Sequence, residues 1–170
     1  MSPTDRASAL QLYLLRHADA GDPEKWSGDD DARPLSAKGE RQSERLGAFL
    51  AEIGFRPDAI ISSPKVRARR TAEIVADALG LGVRVDERLG GGCDPESVDA
   101  ILADTGNPRR PVLVGHDPDF SELLGYLSGT DAMSMKKGAF ARLDVRGPVA
   151  GGGGSLRWLV PPDLLDPERR

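Results

Sequence analysis

The chain has 170 residues, enough for one domain with a real core and too few for two ordinary ones. Apolar residues make up 39% and charged residues 29%, and the net charge is −4. That balance argues against a general nucleic-acid binder, which needs a basic face, yet it leaves room for a small cationic pocket. No stretch approaches the ~20 apolar residues of a membrane span, and Met1 to Gln11 lack the apolar core of a signal peptide. The single cysteine, Cys93, cannot close an internal disulfide and reads as an incidental loop thiol. A cytoplasmic protein with no membrane and no nucleic-acid partner is the expectation.

Residues 1–10 read as a flexible N-terminal tail. Residues 11–15 predict a first strand, apolar on both faces as a central parallel strand requires. It ends in Arg16-His17. Residues 18–35 are polar, with Gly21, Pro23, Gly28, three successive aspartates and Pro34, and predict a long surface loop of the kind that borders functional sites. Ser36 is placed to cap a helix from Ala37 to Ile53, with Leu46, Phe49, Leu50 and Ile53 on one face and Gly54 as its stop. A second strand follows over 58–62. Ser63-Pro64 reads as the next helix start, serine as cap and proline in the first turn, running to about Leu79.

Val83–Asp86 predicts a short strand, Leu89–Gly92 a flexible turn, and Asp94-Pro95 the start of a helix to about Ala103. Val112–Val114 is a buried strand with Gly115-His116 directly behind it, and Asp117-Pro118 opens a helix carrying Phe120, Leu123, Leu124 and Leu127. Two late strands, near 139–145 and 156–160, are joined by a glycine-rich hairpin loop that includes Gly151–Gly154. Residues 163–170 read as a C-terminal tail, leaving 11–162 as the folded domain. Alternating strands and helices predict a single α/β domain with a mainly parallel central sheet and helices on both faces. Ligands of such sheets bind beyond the carboxyl ends of the strands.

The only two histidines, His17 and His116, both lie at such ends. If both strands are central, both imidazoles face one crevice. Arg16 adjoins the first. Arg67, Arg69 and Arg70 lie near a helix start, where free N–H groups and the positive end of the dipole suit a phosphate and a guanidinium can grip it bidentately. Spacing alone does not choose among these three arginines. His17-Ala18-Asp19 and His116-Asp117-Pro118-Asp119 could instead hold a divalent metal. The neighbouring arginines disfavour that on charge grounds.

Leu14-Leu15-Arg16-His17-Ala18 resembles the RHG-type signature of the histidine phosphatase superfamily, the phosphoglycerate-mutase-like group. The segment from Ser62 to Glu73 resembles that family's SSPxxRAxxTAE signature, and Val114-Gly115-His116-Asp117-Pro118 its third motif. Arg33-Pro34-Leu35-Ser36-Ala37-Lys38-Gly39 matches its PLT-x-x-G segment. Four motifs in order, on a short chain with little inserted, look most like the compact SixA-type phosphohistidine phosphatases. The resemblance implies the histidine phosphatase fold, His17 as nucleophile, Arg16 and Arg67 as phosphate holders, and His116 as a further phosphate-pocket residue. It selects Arg67 among the arginines and implies no cofactor and no metal. Many members also use a carboxylic acid. Glu87 lies near the expected place without the family's surrounding pattern, and Asp19 is the alternative. The implied partner is a phosphorylated substrate such as a phosphohistidine-bearing protein. The alternatives are a small-molecule phosphomonoesterase or mutase-like enzyme of the same superfamily and, from another class, a non-catalytic phosphate- or phosphoprotein-binding module.

Overall fold

The computed structural model describes residues 9–169. The expected tail at 1–10 therefore falls almost wholly outside the described residues. Six strands, β1 (Leu10–Arg16), β2 (Ala59–Ser62), β3 (Arg84–Val85), β4 (Pro111–Gly115), β5 (Phe140–Val145) and β6 (Gly154–Val160), form one sheet in the order β3-β2-β4-β1-β5-β6. β1 to β4 run parallel, while β5 and β6 add an antiparallel edge beside β1. Four α-helices complete the fold: α1 (Ala37–Glu52), α2 (Val66–Leu79), α3 (Pro95–Asp104) and α4 (Asp119–Ser128).

β1 shows why the sequence reads as a central strand. Leu12 and Leu14 enter a core with Val98, Ile101 and Leu102 of α3 and Phe120, Leu123, Leu124 and Leu127 of α4. Tyr13 and Leu15 enter the opposite core with Leu46 and Leu50 of α1 and Ala68, Ala72 and Val75 of α2. Successive side chains of a strand point to opposite faces, so a sheet covered on both sides needs an unbroken apolar run. Among the described residues no helix is long and apolar enough to cross a membrane.

Ser36 caps α1 as expected, its hydroxyl accepting the Gly39 amide. The face is narrower than expected, however. Leu46 and Leu50 are buried, whereas Phe49 and Ile53 lie at the exposed margin. The next helix also begins later than expected, at Val66, with Lys65 at its cap and no side-chain cap bond. Ser63 is thereby released from capping. Residues 18–35 carry two short 3-10 turns, Pro23–Lys25 and Asp30–Ala32, each opened by an aspartate that accepts an amide two residues on. Residues 163–169, expected as a tail, fold back instead. Pro162–Leu165 forms a 3-10 turn, Leu165 packs on the α1–α2 core, and Asp166 pairs with Arg45 of α1 at 3.1 Å.

The sheet order sets the site. β1 and β4 are parallel neighbours in register at Arg16 and Gly115, so the residues that follow them, His17 and His116, emerge side by side. β2 lies on the far side of β4 in register at Ser62 and Val114, which brings Ser63 to the same edge.

Candidate active site

His17 is buried, and its amide donates to Gly115 O at 3.0 Å, locking the end of β1 to the end of β4. Its Nδ1 lies 2.8 Å from Ala18 O. A carbonyl only accepts, so Nδ1 carries the proton and Nε2 keeps its lone pair. Ala18 is itself anchored: its amide donates to Thr71 Oγ1 at 3.1 Å, and that hydroxyl donates to Arg67 O at 2.8 Å. α2 thus holds the nucleophile candidate in one orientation. On the other side α1 presses against Asp19. A Cβ on Gly39 would sit 2.0 Å from Asp19 O, so only glycine permits this approach.

The His116 ring centroid lies 5.2 Å from that of His17. His116 Nε2 is 2.7 Å from Ser63 Oγ, and its Nδ1 is buried without a partner. Burial pushes both imidazoles down to about 3, and the arginines nearby act in the same direction. Both rings are therefore neutral at physiological pH, as a nucleophilic imidazole must be.

Arg16 is held by Met135 O at 2.6 Å and by the Asp117 carboxylate at 3.3 Å. Arg67 donates through Nη1 to Asp30 O at 2.7 Å and through Nη2 to the Asp30 carboxylate at 3.1 Å. Arg16, His17, Arg67 and His116, with Arg33, Lys65 and Lys137, line a cavity of about 300 Å³. The loop after His17 (Pro23, Arg33) borders it, as the sequence suggested, and so does the turn Gly90–Gly92. Among the described residues four buried side-chain polar atoms have no partner, and three of them are Arg16 Nε, Arg67 Nε and His116 Nδ1. Three unpartnered nitrogens around one small cationic cavity are costly unless an anion satisfies them. A larger cavity of about 610 Å³ adjoins at Gly92 and Asp119, but Asp94, Glu96 and Glu122 give it the opposite charge, so of the two the smaller has the charge that suits an anion.

All four residues on which the sequence argument converged, Arg16, His17, Arg67 and His116, come together here. The two acid candidates do not. Glu87 is exposed and outside the cavity lining. Asp19 accepts from Ser36 Oγ and the Gly21 amide instead of facing the cavity. Burial pushes the Asp19 carboxyl up, but those bonds and Lys137 outweigh it and hold it below the ordinary range. The carboxylates that do line the cavity are already engaged as acceptors. Asp117 binds Arg16 and the Ser121 amide and hydroxyl, and Asp119 binds the Cys93 amide. Among the described residues no three His, Cys, Asp or Glu side chains are grouped to hold a metal ion. Asp30, Lys65, Arg33, Lys137 and Ser63 were not singled out from sequence. The run Asp29–Asp31 looks like any solvated acidic loop until β2 and α2 set Lys65 and Arg67 beneath it.

A sequence profile of the histidine phosphatase superfamily (branch 1) matches residues 12–90. An uncharacterised protein of a Picosynechococcus species is 38% identical over 119 residues, spanning 66% of this chain and 70% of its own length. A protein of Escherichia fergusonii named probable phosphoglycerate mutase GpmB is 36% identical over 116 residues, 62% of this chain. The match covers 51% of that relative, so the chain spans about half its length. Among solved structures, the protein histidine phosphatase SixA complexed with tungstate superposes with a TM-score of 0.79 at 25% identity, covering 92% of this chain and 100% of that one. The alpha-ribazole phosphatase of Shigella flexneri shares the fold with a TM-score of 0.69 at 18% identity, covering 88% and 96%.

Proposed function

The chain belongs to the histidine phosphatase superfamily, whose members are phosphatases and mutases with a histidine nucleophile, and from that premise we propose that it is a phosphohistidine phosphatase of the SixA type with His17 as its nucleophile. The observation that carries this reading is the set of three unpartnered nitrogens, Arg16 Nε, Arg67 Nε and His116 Nδ1, gathered around the cavity that His17 also lines. In the first step the His17 Nε2 lone pair forms a bond to phosphorus as the bond to the leaving group breaks. The leaving imidazole departs with the electron pair of the broken N–P bond and is neutral because its other ring nitrogen is already protonated. In the second step water attacks the phosphohistidine, the N–P bond breaks, and orthophosphate leaves with His17 restored. Arg16, Arg67 and His116 stabilise the charge on the equatorial oxygens through both steps.

The substrate class follows from the leaving-group side. Neither Glu87 nor Asp19 lines the cavity, and the carboxylates that do are engaged as acceptors. An alkoxide leaves poorly without a proton donor, whereas a phosphoramidate nitrogen can be protonated beforehand. A phosphohistidine-bearing protein is the substrate this favours.

Rapid quench with labelled phosphoramidate is expected to trap an acid-labile, base-stable phosphoenzyme that is absent in His17→Ala. Turnover without any trappable phosphohistidine would overturn the nucleophile assignment. Faster turnover of an alkyl phosphomonoester than of phosphoramidate would move the protein to the small-molecule branch of the superfamily.

A further inference from the structure

Ser63 is fully buried and sits where the sequence suggests nothing more than a helix cap. Among the described residues its Oγ has two hydrogen-bond neighbours, the Lys65 amide at 3.2 Å and His116 Nε2 at 2.7 Å. Pro64 has no N–H, so the Lys65 amide is the first one beyond Ser63 able to turn back to the hydroxyl. That amide can only donate. The hydroxyl proton is then left with one acceptor within reach, the lone pair of His116 Nε2. If the ring donated from Nε2 instead, the serine proton would be buried without an acceptor and His116 Nδ1 would turn a lone pair toward the incoming phosphate oxygens.

From this geometry we propose that Ser63 is a positioning residue that fixes His116 as its Nδ1–H tautomer, so that a neutral imidazole acts as a hydrogen-bond donor to the phosphoryl group. The inference rests on the proposed phosphatase reading for its role, although the tautomer itself does not. It explains how two neutral histidines in one cavity do opposite jobs. His17 gives its Nδ1 proton to Ala18 O and attacks with Nε2, while His116 gives its Nε2 acceptor site to Ser63 and donates with Nδ1. A cationic His116 would donate equally well, but its burial beside Arg67, Lys65 and Arg16 opposes the charge. A neutral ring in that setting needs its proton placed from outside, and the serine hydroxyl supplies the placement.

The test uses the two-histidine composition. Long-range proton–nitrogen correlation on the ¹⁵N-labelled full chain, slightly above neutral pH, shows only two imidazoles, which His17→Asn assigns. Wild type is expected to show His116 protonated at Nδ1 and unprotonated at Nε2. In Ser63→Ala that ring is expected to lose its single tautomer or reverse it, while the His17 signals stay in place. Turnover of phosphoramidate by Ser63→Ala should fall by up to roughly 100-fold in kcat, the lower end of the cost of removing an oxyanion donor outright. Wild-type His116 protonated at Nε2, or a Ser63→Ala ring with an unchanged pattern, would overturn the inference. The nitrogen pattern is read whether or not the protein turns over substrate, so failure of the phosphatase reading is scored separately by the trapping experiment.

Discussion

Both imidazoles are buried and neutral, and this makes the fold sensitive to mild acid. Each histidine titrates from about 6.5 in the unfolded chain to about 3 in the folded one. A depressed folded value means that the unfolded state binds protons first. The stability contributed by each ring is therefore fully present above 6.5 and is lost as pH falls from there toward 3. Linkage over that window costs about 2 kcal/mol per histidine between pH 7 and pH 5, or about 4 kcal/mol for the pair. This is a large share of the roughly 5–15 kcal/mol that holds an ordinary domain together. The carboxylates contribute little in this range, because those with shifted values sit below their ordinary range. The assay is urea unfolding followed by circular dichroism at the two pH values, on wild type, His17→Asn, His116→Gln and the double variant. Asparagine can place an amide where His17 Nδ1 donates, and glutamine can reach Ser63 as His116 Nε2 does, without a titrating group. Each single variant is expected to lose about half of the wild-type pH dependence and the double variant nearly all of it. A double variant with the wild-type pH dependence would refute the buried, neutral assignment of both rings.

Arg67→Lys keeps a cation but not the planar fork, and kcat on phosphoramidate is expected to drop about 100-fold with an unchanged circular dichroism spectrum; a change under threefold would count against Arg67 as a phosphate holder. Asp30 places a carboxylate on the Arg67 guanidinium, where an oxyanion would compete with it. Because Asp30 is half-exposed and screened, Asp30→Asn should tighten tungstate binding only about 3- to 10-fold by calorimetry, and weaker binding would show that Asp30 orients Arg67 rather than competing. Gly39→Ala drives a methyl into Asp19 O, and thermal unfolding should report a loss of about 3 kcal/mol or more; near-neutral stability would mean that the segment after His17 is not held by α1.

The sequence by itself determined the layered α/β fold, because the central strands β1, β2 and β4 are apolar runs, the edge strands β5 and β6 mix apolar with charged residues, and each helix carries an apolar stripe. The register of leucines in Leu12–Leu15 already requires two covered faces. It also pointed to Arg16, His17 and His116, since a charged or titrating residue at the end of a buried strand is visible without coordinates, whereas Arg67 stood apart from Arg69 and Arg70 only through the resemblance to the family signature. Helix ends were less legible. Ser63-Pro64 satisfies the rules of a helix start, yet the hydroxyl is drawn instead to His116, a residue 53 positions away that local sequence cannot sense. The acid candidates failed for the same reason: a carboxylate near the right place in the chain says nothing of where its side chain turns, and Asp19 turns to Ser36. Sheet order was the deciding fact that only the tertiary structure held. Placing β4 between β1 and β2 brings His17, His116 and Ser63 to one edge. The tautomer of each imidazole then follows from neighbours that long-range pairing, and no local propensity, puts within hydrogen-bond reach.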